Sequence, residues 1–183
     1  MGGVIVVPII KSPHSSGRIG QRKMQDWFRG VKKSVSISQK TNGEILVISN
    51  AQYLNQKHEV DLYREALYEL GMVNPRVVRE GYETIEQINL SFQLAAKERK
   101  DLVFVSTFSH FPRVWWLVAS CKRHYKKIGT PIKARNYVAF GISRTREMIT
   151  DIVLAVLFPL IDILGGRKLF LRMVNRRRLK GKL

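Results

Sequence analysis

Residues 101–113 read DLVFVSTFSHFPR and contain an apolar run, a short polar stretch and the start of a second apolar segment. The run 102–105 holds only branched and aromatic side chains, a pattern typical of a strand buried on both faces. Pro112 suits the first turn of a helix, where the backbone N–H that proline lacks has no intrahelical partner. This stretch therefore predicts a buried strand, a polar loop and a helix.

The same alternation extends along the chain in both directions. Strands are predicted at 3–10, 44–49, 75–78, 101–106 and 131–139, and helices at 19–35, 58–70, 84–99, 111–127 and 144–164, with a last basic helix from Arg167. Strands that alternate with helices favour a parallel sheet with right-handed crossovers. We expect an α/β fold, a three-layer Rossmann-like domain whose roughly five-stranded, mostly parallel sheet has helices on both faces.

The size of the chain, 183 residues, suits one domain with a sizeable core. Residues 1–150 are expected to form the Rossmann-like domain, and 151–183 an apolar helix and basic tail packed on or appended to it. The segment 149–164 (ITDIVLAVLFPLIDIL) carries two aspartates and a proline. It is shorter than the roughly 20 apolar residues of a transmembrane helix. A core-packed helix is the first interpretation, and an interfacial helix is the alternative.

The charge balance is strongly basic, with 32 Lys and Arg against 14 Asp and Glu and a net charge of +18. Such a field attracts polyanions, anionic lipid surfaces or phosphorylated ligands. The excess is concentrated in 1–43, 121–147 and 167–183. A solvated basic surface that only aids solubility is the other interpretation.

Two features bear on the compartment. Cys121 is the single cysteine, so the chain has no internal disulfide, and its apolar surroundings predict a buried structural thiol. The apolar run 4–10 is too short for a signal peptide core and no basic stretch precedes it. We expect a cytoplasmic protein, or one peripheral at the inner membrane face, without a signal peptide.

Polar residues gather in the loops that follow the first four predicted strands. In open α/β sheets these loops share the carboxyl edge of the sheet, where ligands bind. The candidate ligand-binding residues are Arg18 after the first strand, Ser49, Asn50 and Glu59 after the second, Glu80, Thr84 and Glu86 after the third, and Ser106, Thr107, His110 and Arg113 after the fourth.

His110 and Arg113 carry the most specific signal. They are three residues apart at a helix start, so they can share one face beside an anion-attracting helix terminus. An imidazole next to a guanidinium suits a phosphate or carboxylate. The alternative is that His110 caps the helix and Arg113 pairs with a surface carboxylate. Likewise, Glu86 and Thr84 have an alternative role that involves no ligand. Glu86 could interact with the helix dipole, and Thr84 could be a plain N-cap.

Several well-known motifs are absent. The sequence has no G-x-G-x-x-G after the first strand, no G-x-x-x-x-G-K-[ST], no G-x-S-x-G and no His, Cys and carboxylate cluster with metal-site spacing. It therefore indicates no metal site and neither standard nucleotide-binding loop, and it leaves the cofactor unknown.

The order of these loop residues resembles the YdcF/SanA/ElyC-like family, a bacterial domain-of-unknown-function family with a Rossmann-like fold. The family motif V-T-S-x-x-H-x-x-R-A appears at 105–114 and keeps His110 and Arg113. The family's third-loop motif keeps Glu80, Thr84 and Glu86, its second-loop motifs match Ser49 and Glu59, and its first-loop arginine matches Arg18. The resemblance covers about residues 3–150.

The resemblance implies a site in which His110, Arg113 and Glu80 are the catalytic residues, for a phosphate-bearing or nucleotide-like ligand in envelope-related metabolism. The sequence departs from the family at Pro8, Asn50-Ala51, Glu83 and Gln87, which replace glycines and asparagines. A backbone that needed glycine to approach a ligand closely has lost that freedom. The departures are therefore compatible with a chain that keeps the family fold but has changed or lost the family's ligand.

Binding of an anionic small molecule at the carboxyl edge is the leading functional hypothesis. If the protein is an enzyme, the residue types suit a transferase or hydrolase acting at a phosphate-like group. Peripheral membrane association through 149–183 is the alternative, since an apolar stretch followed by eight basic residues suits anionic lipid. The second alternative is a non-specific nucleic-acid binder. The lack of aromatic stacking residues interleaved with the basic stretches argues against it.

Overall fold

The computed structural model describes residues 3–10, 17–51, 58–108, 110–140 and the four positions 149, 153, 157 and 160, with only the backbone described for 17–23. In these residues the strands are β1 (Val4–Pro8), β2 (Glu44–Ile48), β3 (Arg76–Val78), β4 (Asp101–Thr107) and β5 (Ala134–Ala139), and the helices are α1 (Gly17–Thr41), α2 (Glu59–Glu69), α3 (Thr84–Glu98) and α4 (Phe111–Lys127). Strands and helices alternate, as the sequence pattern predicts.

The five strands form one all-parallel sheet in the order β3-β2-β1-β4-β5. The central strand β1 pairs with β2 on one side and β4 on the other, so that Val6 lies opposite Ile45 and Val103. Successive crossovers run outward from β1 to β2 and β3, and then return to β4 and β5. This confirms the predicted α/β, Rossmann-like fold and places the switch point of the sheet between β1 and β4.

Alternate strand residues enter two separate cores. One core lies under α3 and α4, where Phe92 stacks on Phe104 with ring centroids 5.9 Å apart. The other lies under α1 and α2, where Trp27 packs edge-on against Tyr63 at 5.0 Å. Because both faces of the sheet are covered, β1, β2 and β4 need apolar side chains at consecutive positions.

Two element boundaries differ from the predictions by three residues or more. The first helix continues to Thr41 rather than ending near Val35, because Ile37 adds another buried apolar position. The helix ends where Asn42, with a φ of 48°, takes the left-handed conformation. The last strand begins at Ala134 rather than Pro131, since proline has no N–H to donate to a neighbouring strand. Gly71 follows α2 with a φ of 75°, as its predicted C-terminal role requires.

The predicted helices after residue 140 lie mostly outside the described residues. The four described positions, Ile149, Val153, Leu157 and Leu160, are helical and 43–57% exposed. In the part of the chain that the structure describes, no helix is both long and apolar enough to span a membrane.

Candidate functional site

The loops after β2 and β3 are held together by backbone hydrogen bonds at the carboxyl edge of the sheet. The Ser49 N–H donates to the Val78 carbonyl at 3.1 Å, and the Asn50 N–H donates to the Gly81 carbonyl at 2.9 Å. These bonds extend the β2–β3 alignment past the ends of both strands. They bring the second and third predicted candidate loops side by side.

Ser49 and Glu59 form a buried polar pair at the start of α2. The Ser49 hydroxyl donates to the Glu59 carboxylate at 2.5 Å and accepts from the Ala51 N–H at 3.1 Å. Both side chains are buried, Ser49 being 1% and Glu59 8% exposed. The pair therefore fixes the β2 loop to α2, and the two predicted residues are in direct contact.

Tyr82 joins the same edge although the sequence did not single it out. The Asn50 side-chain amide donates to the Tyr82 hydroxyl at 2.6 Å. Tyr82 lies two residues after Glu80 in the predicted third loop, and this position is the sequence feature from which its place at the edge could have been predicted. Its ring is exposed, and its hydroxyl presents a polar group beside Asn50.

Glu86 belongs to the start of α3. Its carboxylate accepts from the backbone N–H groups of Tyr82, at 2.8 Å, and Glu83, at 3.2 Å. This is the glutamate half of a capping box, so the interpretation of Glu86 as a helix-start residue is supported. The expectation that Thr84 is the N-cap is wrong, because Glu83 has the extended backbone of an N-cap and Thr84 is the first helical residue.

Thr84 instead contacts the fourth loop. Its hydroxyl oxygen lies 3.2 Å from His110 Nε2, within hydrogen-bonding distance. His110 is 6% exposed and occupies the N-cap position of α4, but its side chain makes no capping hydrogen bond. His110 thus occupies the N-cap position that the alternative assigned to it, but it does not cap α4 through its imidazole. The ring is directed to the third loop instead.

Arg113 lies in the first turn of α4 and faces the same loop. Its guanidinium lies 3.7 Å from the Glu83 carboxylate, and both side chains are largely buried. The expected carboxylate partner of Arg113 thus exists, at a distance long for a hydrogen bond and short enough for a favourable ion pair. The Glu83–Arg113 ion pair and the Thr84–His110 contact therefore join the same two helix starts.

Ser106 and Thr107 complete the fourth loop. The Thr107 carbonyl accepts from the His110 N–H at 3.0 Å and so shapes the turn into α4. Ser106 continues the alternation of Leu102 and Phe104 and therefore faces the α3/α4 layer. It is 1% exposed, and among the described residues its hydroxyl has no hydrogen-bond partner. A buried hydroxyl in that state costs free energy unless some other group bonds to it.

The helix starts at this edge differ in charge. The first turns of α2 and α3 contain acidic residues, including Glu59, Asp61 and Glu86, whereas the first turn of α4 contains none. The partial positive charge at the start of α4 is therefore not neutralised by an acid of its own first turn. Of the three helix starts, α4 offers the most favourable position for an anion.

Two predicted residues are not joined to this arrangement by a described contact. Glu80 is exposed in the loop after β3. The Arg18 side chain lies outside the described residues, although its backbone is in the first turn of α1. No group of three or more His, Cys, Asp or Glu residues that could hold a metal ion occurs within the described ranges.

No family model matches the chain, and no curated protein matches it. The α/β fold that the resemblance implied is present in the structure, and membership of the YdcF/SanA/ElyC-like family stays a prediction.

Proposed function

We propose that this chain is a YdcF-like protein that binds a phosphate-bearing or nucleotide-like small molecule at the carboxyl edge of its sheet. The observation that carries the proposal is the meeting of the third loop with the start of α4, where Thr84 contacts His110 and Glu83 pairs with Arg113. Two of the residues that the family resemblance singles out, Thr84 and Arg113, take part in these contacts, and two more, Ser49 and Glu59, form a separate buried pair at the start of α2.

The anionic end of the ligand is assigned to the start of α4. Arg113 supplies a fixed positive charge and His110 a second donor, and the helix terminus adds its dipole. The buried Ser106 hydroxyl beneath this turn is a further group that a ligand oxygen or a bound water could satisfy. An anion here would compete with Glu83 for the guanidinium of Arg113.

The other end of the ligand is assigned to the second and third loops. Asn50, Tyr82 and Glu80 present amide, hydroxyl and carboxylate groups there. Such groups bind the hydroxyls or amines of a sugar or base. A ligand that carries both a phosphate and a hydroxyl-rich or amine-bearing body matches the charge distribution of the site better than a simple dianion.

The reaction that fits these residue types is transfer or hydrolysis at the phosphate-like group. His110 would act as acid or base, Arg113 would hold the anionic oxygens, and Glu80 would orient a hydroxyl or amine. No nucleophile is assigned.

A thermal-shift panel of nucleotides, sugar phosphates and lipid-phosphate headgroups tests this proposal. A ligand at about 100 times its Kd adds about 2.7 kcal/mol, or several degrees in Tm for a domain of this size. We expect the shift to disappear in His110→Ala and Arg113→Ala. It should persist in Arg29→Ala, which removes an arginine that is likewise ion-paired, with Asp26 on α1. A shift that survives both site variants, or no shift with any phosphate-bearing compound, contradicts the proposal.

Peripheral membrane association is a second candidate because of one observation. Ile149, Val153, Leu157 and Leu160 follow one another at spacings of one helical turn and are all substantially exposed. The chain then ends in 167–183 with eight basic residues and no acid. An exposed apolar helix face next to a basic segment is the arrangement of an interfacial helix on anionic lipid.

Vesicle co-sedimentation tests this second candidate. The full chain should sediment with phosphatidylglycerol vesicles and stay in solution with phosphatidylcholine vesicles. Val153→Asp and Leu157→Asp should each reduce the bound fraction, whereas a polar change at exposed Tyr68 on α2 should not. Equal binding by all these variants would contradict the role of the helix face.

A further inference from the structure

A groove of about 630 Å³ lies between α4 and β5. Trp115 and Lys122 from the helix and Arg135, Asn136 and Tyr137 from the strand contribute to its walls. A second depression of about 380 Å³ shares Lys122 with it and extends along α4 to Arg123 and Lys126. The two depressions share Ala119 and Lys122 and so lie side by side along α4, and together they are called the α4–β5 groove.

The groove is strongly basic. No Asp or Glu occurs anywhere between Leu102 and Arg146, and no acidic residue lines either depression. The four cations at its walls, Lys122, Arg123, Lys126 and Arg135, are all exposed. Like charges gathered around a concave surface focus a positive potential there, which favours a polyanion.

Exposed aromatic rings lie among these cations. Trp115 is 52% exposed and Tyr137 is 38% exposed, and both line the groove. At the carboxyl ends of β4 and β5, Phe108 and Phe140 stack on each other with centroids 6.0 Å apart and are also exposed. Large aromatic surfaces left in water beside a basic groove provide stacking platforms.

Asn136 adds an unsatisfied polar atom to the same groove. Its side-chain carbonyl oxygen is buried and, among the described residues, has no hydrogen-bond partner. Because this oxygen is shielded from solvent, it can accept from the amino or imino group of a base only after the side chain turns toward the groove. The exposed cations and rings, rather than this atom, therefore indicate the ligand.

We propose that the α4–β5 groove binds single-stranded nucleic acid, with the phosphates on Lys122, Arg135 and their basic neighbours and the bases on Trp115 and Tyr137. In the sequence, the basic stretches count against nucleic acid, yet one of them, 121–147, contains Tyr137 two residues after Arg135. The fold adds Trp115 of α4 to the same groove, so that two aromatic residues from different elements lie among cations of both. A duplex is less suitable because its base faces are hidden, and a flat lipid surface does not fill a groove.

The test is fluorescence anisotropy of a labelled 12-nucleotide oligothymidylate with the full chain at several salt concentrations. Trp115→Ala should weaken binding about tenfold, which corresponds to about 1.4 kcal/mol. The double variant Lys122→Ala/Arg135→Ala should lower the slope of log K against log salt by about 1.4, or about 0.7 for each phosphate contact.

A charge-matched control separates the groove from general attraction to a basic protein. Lys32→Ala/Lys33→Ala removes two exposed lysines from α1, which covers the opposite face of the sheet, and leaves the same net charge as the groove double variant. We expect its affinity to stay within about twofold of the unmodified chain. Circular dichroism confirms that each variant is folded.

Three results would overturn the proposal. One is an equal loss of affinity in the groove and control double variants, and another is unchanged binding in Trp115→Ala. The third is failure of the oligonucleotide to bind while phosphatidylglycerol vesicles bind through the same groove residues, which would assign the surface to lipid.

Discussion

The Thr84 hydroxyl lies 3.2 Å from His110 Nε2 and joins two loops that are 26 residues apart in sequence. Thr84 begins α3 and His110 precedes α4, so the contact couples the starts of two helices on the same face of the sheet. It also sets the direction of the imidazole, which points to the third loop rather than back along its own helix.

Replacement of Thr84 tests this coupling. Thr84→Val removes the oxygen while keeping the branched shape, and we expect it to lower the free energy of unfolding by about 1 kcal/mol because a buried imidazole nitrogen loses a polar neighbour. Thr84→Ser keeps the oxygen and should cost clearly less. Urea unfolding of both variants measures the difference, and ¹⁵N chemical shifts of the His110 ring should change in the valine variant alone. Equal stabilities would mean that the hydroxyl contributes nothing.

Ser49 offers a second test, in the buried pair with Glu59. Ser49→Ala removes a hydrogen bond to a buried carboxylate, and we expect a loss of about 1–3 kcal/mol. Ser34→Ala is the matched control, since Ser34 is also fully buried but, within the described residues, its hydroxyl bonds only to the Gly30 carbonyl of its own helix. That bond adds little to helix stability. Denaturant unfolding compares the two, and a larger loss in the control would contradict the importance of the Ser49–Glu59 pair.

The Glu83–Arg113 pair leads to a prediction about ligand binding that rests on the proposed site. Glu83→Gln removes the negative charge next to the guanidinium, so inorganic phosphate should bind about fivefold more tightly, corresponding to about 1 kcal/mol. Isothermal titration calorimetry at constant pH gives the affinity. Glu65→Gln, at an exposed position on α2, changes the net charge equally and should leave the affinity nearly unchanged. Equal tightening in both variants would indicate a long-range charge effect rather than competition for Arg113.

A cluster of charges at the opposite edge of the sheet predicts a pH dependence of stability. Burial alone would raise the pKa of Glu98, but hydrogen bonds from Arg76 and Lys100 outweigh it, so that the pKa lies below its ordinary value of 4.5. A carboxyl group whose pKa is lowered by folding stabilises the protein above its unfolded pKa. That contribution is lost as the pH falls through the lower folded pKa.

Glu98→Gln should therefore reduce the free energy of unfolding by about 1 kcal/mol at pH 7, and the difference from the unmodified chain should shrink at pH 3. Urea unfolding at both pH values measures it. Glu69→Gln, at an exposed position on α2, provides the control and should have little effect at either pH. A difference that is the same at pH 7 and pH 3 would show that the Glu98 charge is not its source.

The sequence by itself determined the order of the elements and the loops in which polar residues gather. The bounds of α4, Phe111–Lys127, agree with the prediction, because Pro112 marks its start and its apolar positions recur with helical spacing. The strands are recognisable for a similar reason, since burial on both faces demands continuous apolar runs. These signals are local and can be read from neighbouring residues.

Only the tertiary structure decided which side chains meet. Thr84 could not be distinguished from an ordinary N-cap, nor Tyr82 recognised as a partner of Asn50, until the loops after β2, β3 and β4 were placed side by side. The α4–β5 groove likewise exists only because β5 takes the edge of the sheet next to β4. Strand order and register bring together residues that are distant in the chain, and the periodicity of any one segment carries no information about that alignment.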